Sequence, residues 1–166
     1  MHHLKPLSRD AIHAALAKAE RYRLLNEPGE AESICLDVLD VDPANQAAQV
    51  ALLLSLTDQF GVDPGAYGRA RALVPGLSGE YERAYYAGIV AERRAKAQLA
   101  TAGHAAVHGV HDWLLEAMTH FEEAERLRPA GNDDALLRWN ACARFLMQHP
   151  ELRPLAQERE EIEMLE

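Results

Sequence analysis

The sequence predicts an all-α protein, and three observations carry that expectation. Its 166 residues are 48% hydrophobic but only 6% aromatic, with alanine supplying much of the apolar content. That balance suits closely packed helices better than a sheet core rich in aromatic and β-branched side chains. Apolar residues recur at three- and four-residue steps along most of the chain. One pattern also occurs twice, as Ala31, Cys35, Val38, Pro43 and as Ala117, Phe121, Ala124, Pro129. An alanine, a bulkier residue four positions on, a small one three later and then a proline is the mark of a helical repeat, an architecture that generally holds partners.

Ser8 is placed to cap a first helix, with Leu7 and Ile12 at the two ends of a hydrophobic staple. Ala11, Ala15, Ala19 and Tyr22 then follow helical spacing to about Asn26. Pro28 opens a second helix at a first-turn position, where its missing N–H costs nothing. Asp42-Pro43 stops that helix, so the two are expected to form an antiparallel hairpin. A third helix, from about Ala44 to Phe60, is apolar all round (VALLLSL) and belongs inside a stack. Gly61 to Gly65 breaks it. Ala66 to Val74 reads as a short fourth helix ended by Pro75-Gly76. Glu80 to about Leu99 reads as a longer fifth, with Tyr81, Tyr85, Gly88 and Ile89 on one face. The stretch ATAGHAAVHGVHD reads as a looser connection into a sixth helix, from about Asp112 to Arg128, which Pro129 and Gly131 end. Asn132 caps a seventh, with Asp133 and Asp134 at the positive end of its dipole and Leu136, Leu137, Trp139, Ala143 and Phe145 available for packing. His149-Pro150 closes it. The remainder, ending AQEREEIEMLE, is a charged tail or capping helix anchored by Ile162 and Leu165.

Charge and cysteine usage narrow the function. A net charge of -9, from 17 basic and 26 acidic residues, argues against a binder of nucleic-acid backbone, which needs a basic face. Cys35 and Cys142 are far apart and form neither a metal-type spacing nor a disulfide framework, which fits a reducing cytoplasm. No stretch approaches the ~20 apolar residues of a membrane span, and MHHLKPLSRD lacks the apolar run of an export signal. A cytoplasmic protein that engages no membrane is the expectation.

On the residues of its doubled pattern the chain resembles the tetratricopeptide repeat (TPR) family, whose unit of about 34 residues is a helix-turn-helix with small residues where its A and B helices touch. In a first unit from about Ile12 to Asn45, Ala19, Tyr22, Ala31 and Pro43 stand on the family's small, aromatic, alanine and proline positions. Ala15 replaces the usual tryptophan and Lys18 the usual leucine. Pro43 and Pro129 are 86 residues apart, about 18 more than two such units would give. One extra residue near Gly61 and about 17 between the fifth and sixth helices absorb the difference. That register puts Gly88 on the small-residue position of a third unit beginning at Tyr81. The resemblance thus implies a TPR-like solenoid of about seven antiparallel helices over 8–149, three A/B hairpins plus a capping helix. Residues 150–166 would form a charged tail or an eighth helix. Small residues at the crossings let helix axes approach, and bulkier ones at Ala31 or Ala117 would force them apart.

The resemblance further implies a non-catalytic adaptor or scaffold that grips a peptide or helix of another protein in a concave groove lined by A helices. Carrying the groove positions over gives Glu20, Arg23, Asp58, Tyr85, Glu92, Arg93, Asn140 and Arg144 as contact residues, above a floor that includes Leu16, Val50, Leu54, Ile89 and Leu136. Asn140 suits pairing with an extended backbone, and Arg93 with Arg144 suits clamping a carboxylate. Where some members grip an acidic C-terminus with Lys and Asn, this chain has Leu16 and Glu20, and Glu20 would repel that ligand. No cofactor and no catalytic residue is implied. A second reading is a structural subunit that pairs with another copy. A third is a metal-binding protein or enzyme using His104, His108 and His111, whose spacing can align imidazoles on one helical face. Gly103 and Gly109 loosen that segment, and no carboxylate-histidine signature accompanies it. Cys35, Cys142, Trp113 and Trp139 read as packing residues.

Overall fold

A computed structural model of the protein describes residues 3–102 and 107–153. Among the described residues there are seven α-helices and no strand, and no helix long and apolar enough to cross a membrane. The all-α expectation therefore holds. The chain divides into two compact units, one ending at Ser78 and the other beginning at Gly79.

The first unit holds α1 (Ile12–Leu24), α2 (Pro28–Val41), α3 (Gln46–Thr57) and α4 (Ala66–Leu73). Each packs on the next, and α1 also meets α3, so the opening helices of two hairpins stand side by side. The entry into α1 differs from the expectation. Ser8 makes no side-chain cap, and the chain turns through one 3-10 turn, Arg9–Ala11, in which the Ala11 N–H donates to the Ser8 carbonyl at 3.0 Å. The exit is a Schellman turn built on asparagine. Asn26 adopts φ 60°, the Glu27 N–H donates to the Tyr22 carbonyl at 2.9 Å and the Asn26 N–H to that of Arg23 at 3.0 Å. Orphan carbonyls at the helix end are satisfied in this way. Pro28 occupies the first turn of α2, and α2 ends before Asp42-Pro43, because proline disfavours helical geometry in the residue before it. Asn45 caps α3, its side-chain oxygen accepting from the Ala48 N–H at 2.9 Å.

Ala19, Ala31, Cys35 and Val38 are fully buried where α1 crosses α2. Small side chains there leave room for the axes to close. The apolar α3 buries Leu52, Leu53 and Leu56, and its two buried hydroxyls bond back to the helix, Ser55 to the Ala51 carbonyl at 2.7 Å and Thr57 to that of Leu54 at 2.8 Å. Arg69 of α4 pairs with Glu32 of α2 and with Asp63 of the preceding turn.

The second unit holds α5 (Glu80–Ala102), α6 (Val107–Leu127) and α7 (Asp134–Gln148). Of the looser connection expected over residues 100–112, the described residues 100–102 and 107–112 are helix. Its residues lengthen α5 to 23 residues and start α6 five residues earlier than Asp112. Burial explains why Gly109 does not break the helix. Gly109 costs about 1 kcal/mol relative to alanine, while the same turns bury Val110 and Leu114, each worth about 1.5–3 kcal/mol.

The repeated pattern is buried here as it is in α2, with Ala117, Phe121 and Ala124 all fully covered. Gly88 of α5 lies against this set: a Cβ at Gly88 would fall 2.5 Å from the Phe121 ring. Gly131, at φ 82°, turns the chain after α6. Asn132 accepts from the Asp134 N–H at 3.0 Å as α7 begins. In α7 the buried positions are Ala135 and Cys142, whereas Leu137, expected to pack, is 61% exposed. Beyond His149 the residues Pro150–Leu152 form one 3-10 turn, and Leu152, grouped with the charged tail by sequence, is fully buried. Ile162 and Leu165 lie outside the described residues.

Candidate functional site

In the first unit, the paired helices α1 and α3 leave a depression of about 410 Å³ between them. Leu16, Val50 and Leu54 supply its apolar floor, and Ala17, Ala47 and Ala51 keep its walls low. His13, Glu20 and Arg23 stand at its polar rim. The spacing explains why these residues converge. Positions 13, 16, 17, 20 on α1 and 47, 50, 51, 54 on α3 each climb one helical face in three- and four-residue steps.

Two of the expected contact residues satisfy one another. Arg23 Nε donates to Asp58 Oδ2 at 2.8 Å, with both side chains about one-fifth exposed. Partly covered pairs of this kind contribute about 0.2–1 kcal/mol, so their consequence is chiefly positional, fixing the Arg23 guanidinium at one end of the depression. Glu20 is exposed on the same face. Below the pair, burial pushes the Cys35 thiol up to about 11, with the Arg23 charge opposing that rise and Glu32 adding to it.

The expected contact residues of the second unit have different surroundings. Tyr85 belongs to an aromatic cluster, stacked on Tyr81 at 5.7 Å, edge-on to Tyr86 at 5.2 Å and tilted against Phe121 at 5.9 Å. Burial raises the phenols of Tyr81 and Tyr86. Such a ring is committed to packing α5 onto α6. Arg93 and Asn140 are half-buried and Arg144 is exposed.

Sequence reasoning missed the charged centre of this unit as a group. Glu92 is completely buried on α5. Lys96 Nζ lies 2.5 Å from its Oε1, and Arg138 of α7 approaches both carboxylate oxygens at 3.4 and 3.5 Å. Burial alone would lower the Arg138 pKa, but the Glu92 charge and Tyr85 more than offset it and the net shift is upward. Cys142 beside them is pushed up to about 12, by burial first and then by the Glu92 charge. The readable signal was Glu92 and Lys96 at i,i+4. Arg138 stands 46 residues away and gives no local signal. A carboxylate held between two cations joins α5 to α7 and offers no open coordination or acid-base position.

Of the three histidines, His104 and the side chain of His108 lie outside the described residues. His111 is buried, its Nδ1 3.6 Å from Asp112 Oδ1 and without a hydrogen-bond partner among the described residues. No group of three metal-ligating side chains occurs among the described residues. Both tryptophans make structural contacts: the Arg94 guanidinium lies 4.4 Å from the Trp113 ring centre, and Trp139 Nε1 donates to Glu122 at 2.9 Å. No protein-family model matches the chain, and comparison with curated proteins and with solved structures finds no match.

Proposed function

We propose that this chain is a non-catalytic interaction module of the tetratricopeptide-repeat kind, which holds a peptide or helix of another protein against the opening helices of its hairpins. One observation carries the reading: α1 and α3 stand side by side and leave an apolar depression of about 410 Å³ with a polar rim. Apolar side chains of a partner would fill that volume, and the three alanines would let its backbone come close. Because the surrounding helices are already packed, little ordering cost opposes binding. Arg23, neutralised by Asp58, would orient rather than attract the ligand, while Glu20 would favour a basic group near that end.

Val50→Glu places a charge on the floor of the depression without touching the fully buried core. Capture of binding proteins by the immobilised chain, followed by mass spectrometry, should lose its specific partner with this variant at unchanged helicity. Undiminished capture of every partner by Val50→Glu would remove the depression from consideration.

A further inference from the structure

The α1–α3 depression discriminates between the forms that a bound segment can take. Both of its walls are α-helix, so nearly all of their backbone groups are spent in bonds within α1 and α3. The side chains offer little in their place. Leu16, Val50, Leu54 and three alanines line the interior, and the polar residues His13, Glu20 and Arg23 stand at the rim. Arg23 is already held by Asp58 at 2.8 Å. An extended segment laid along this surface would turn unpaired N–H and carbonyl groups toward an apolar floor, a cost that strand-like ligands ordinarily recover from a sheet edge or from amide side chains. A helix carries no such cost, because its backbone is satisfied before it binds.

We infer that the depression takes an amphipathic α-helix of a partner, with a basic residue set beside Glu20. This assignment, which rests on the depression being a partner site, adds the form and the charge of its occupant. His13 and Arg23 are 10 residues apart on α1, which gives the depression a length of about 15 Å. A helix of about ten residues spans that length and presents apolar side chains at i, i+4 and i+7 along one face. Ala17, Ala47 and Ala51 leave room for the close approach of axes on which helix packing depends. Charge at the rim selects the polar flank. With the Arg23 charge met by Asp58, the exposed Glu20 is left as the acidic group of the rim. The chain's net charge of -9 attracts a basic partner over longer distances as well.

Fluorescence anisotropy with two labelled peptides tests the inference on the full chain. One, of about eighteen residues and so long enough to be helical alone, spaces its leucines four and three apart among alanines and lysines. The other has the same residues rearranged so that its leucines stand at every second position, as on an extended strand. Far-UV circular dichroism checks that only the first is helical. At physiological salt the helical peptide should bind the parent about tenfold or more tightly than its counterpart. Val50→Glu should weaken that binding by about tenfold or more and Glu20→Lys by about threefold or more, at unchanged helicity of both variants. Equal or tighter binding of the rearranged peptide, itself lost in Val50→Glu, would overturn the inference and leave the depression as a partner site. Failure of both peptides to bind, or binding that ignores Val50→Glu, would remove the depression and the inference together. Undiminished binding to Glu20→Lys would overturn the basic contact. Sedimentation velocity showing self-association of the parent that Val50→Glu abolishes would give the depression to a second copy and likewise overturn the inference.

Discussion

Gly88→Ala sets two well-characterised effects against each other. The substitution adds one methyl group in the middle of α5. At the backbone position of Gly88 that carbon falls 2.5 Å from Phe121 Cε1 and 2.7 Å from Cδ1, where carbon atoms normally rest about 3.5–4.0 Å apart. The ring or the helix must therefore yield by about 1 Å. Phe121 is fully buried and leans on Tyr85, so the ring has no open side to move into. Overpacking of this kind costs about 1–3 kcal/mol, whereas alanine gains about 0.8–1.0 kcal/mol over glycine in a helix interior. The net expectation is a loss of about 1 kcal/mol. Gly68 is the control. It lies within α4, and a methyl group added there would meet nothing within 4 Å, so Gly68→Ala should stabilise by about 0.5–1 kcal/mol. Urea titrations followed by helical circular dichroism read both through the midpoint at constant slope. In a Phe121→Leu background the penalty at Gly88 should shrink or reverse, since the conflict lies with that ring. If Gly88→Ala and Gly68→Ala raise the midpoint equally, the close crossing of α5 and α6 is wrong.

Two further expectations concern the helix end and the thiols. Asn26 holds a left-handed conformation that alanine adopts at a cost of about 1 kcal/mol and glycine adopts freely. Thermal melts should therefore rank Asn26→Gly at or above the parent and Asn26→Ala below it. Cys35 and Cys142, with thiols pushed up to about 11 and about 12, should resist an aromatic disulfide reagent at pH 8 and titrate fully once the chain is unfolded in guanidinium. Rapid reaction of either thiol in the native protein would contradict its burial. The same shifts set a direction for stability: unfolded thiols ionise above about 8.5 while the buried ones do not. Their contribution is complete below that pH and should fall as pH rises toward the native values.

What the sequence made legible, and what it hid, follows from how far each signal reaches along the chain. Pro28 and Asp42-Pro43 act within one turn of themselves, and the helix bounds they mark agree with the structure to within about two residues. The doubled Ala-x3-bulky-x2-small pattern also marked core positions: Ala31, Cys35 and Val38 are buried in one unit, and Ala117, Phe121 and Ala124 in the other. The misreadings arose where local preference and tertiary burial disagree. Gly109 argued for a loop, but Val110, His111 and Leu114 had a long partner helix to cover them, and burial prevailed. Tyr85 was set on a groove position by the resemblance, yet a register carried over from a family cannot tell a ligand-facing ring from one that packs on Phe121, a residue 36 places later. Glu92 is the clearest case. The resemblance set it on a groove position, whereas it is completely buried, and only the arrival of Arg138 from α7 beside Lys96 makes that burial tolerable. The α1–α3 depression is the converse. Its floor, Leu16, Val50 and Leu54, stood in the sequence as ordinary helical apolar positions, and only the packing of α1 beside α3 brings them together.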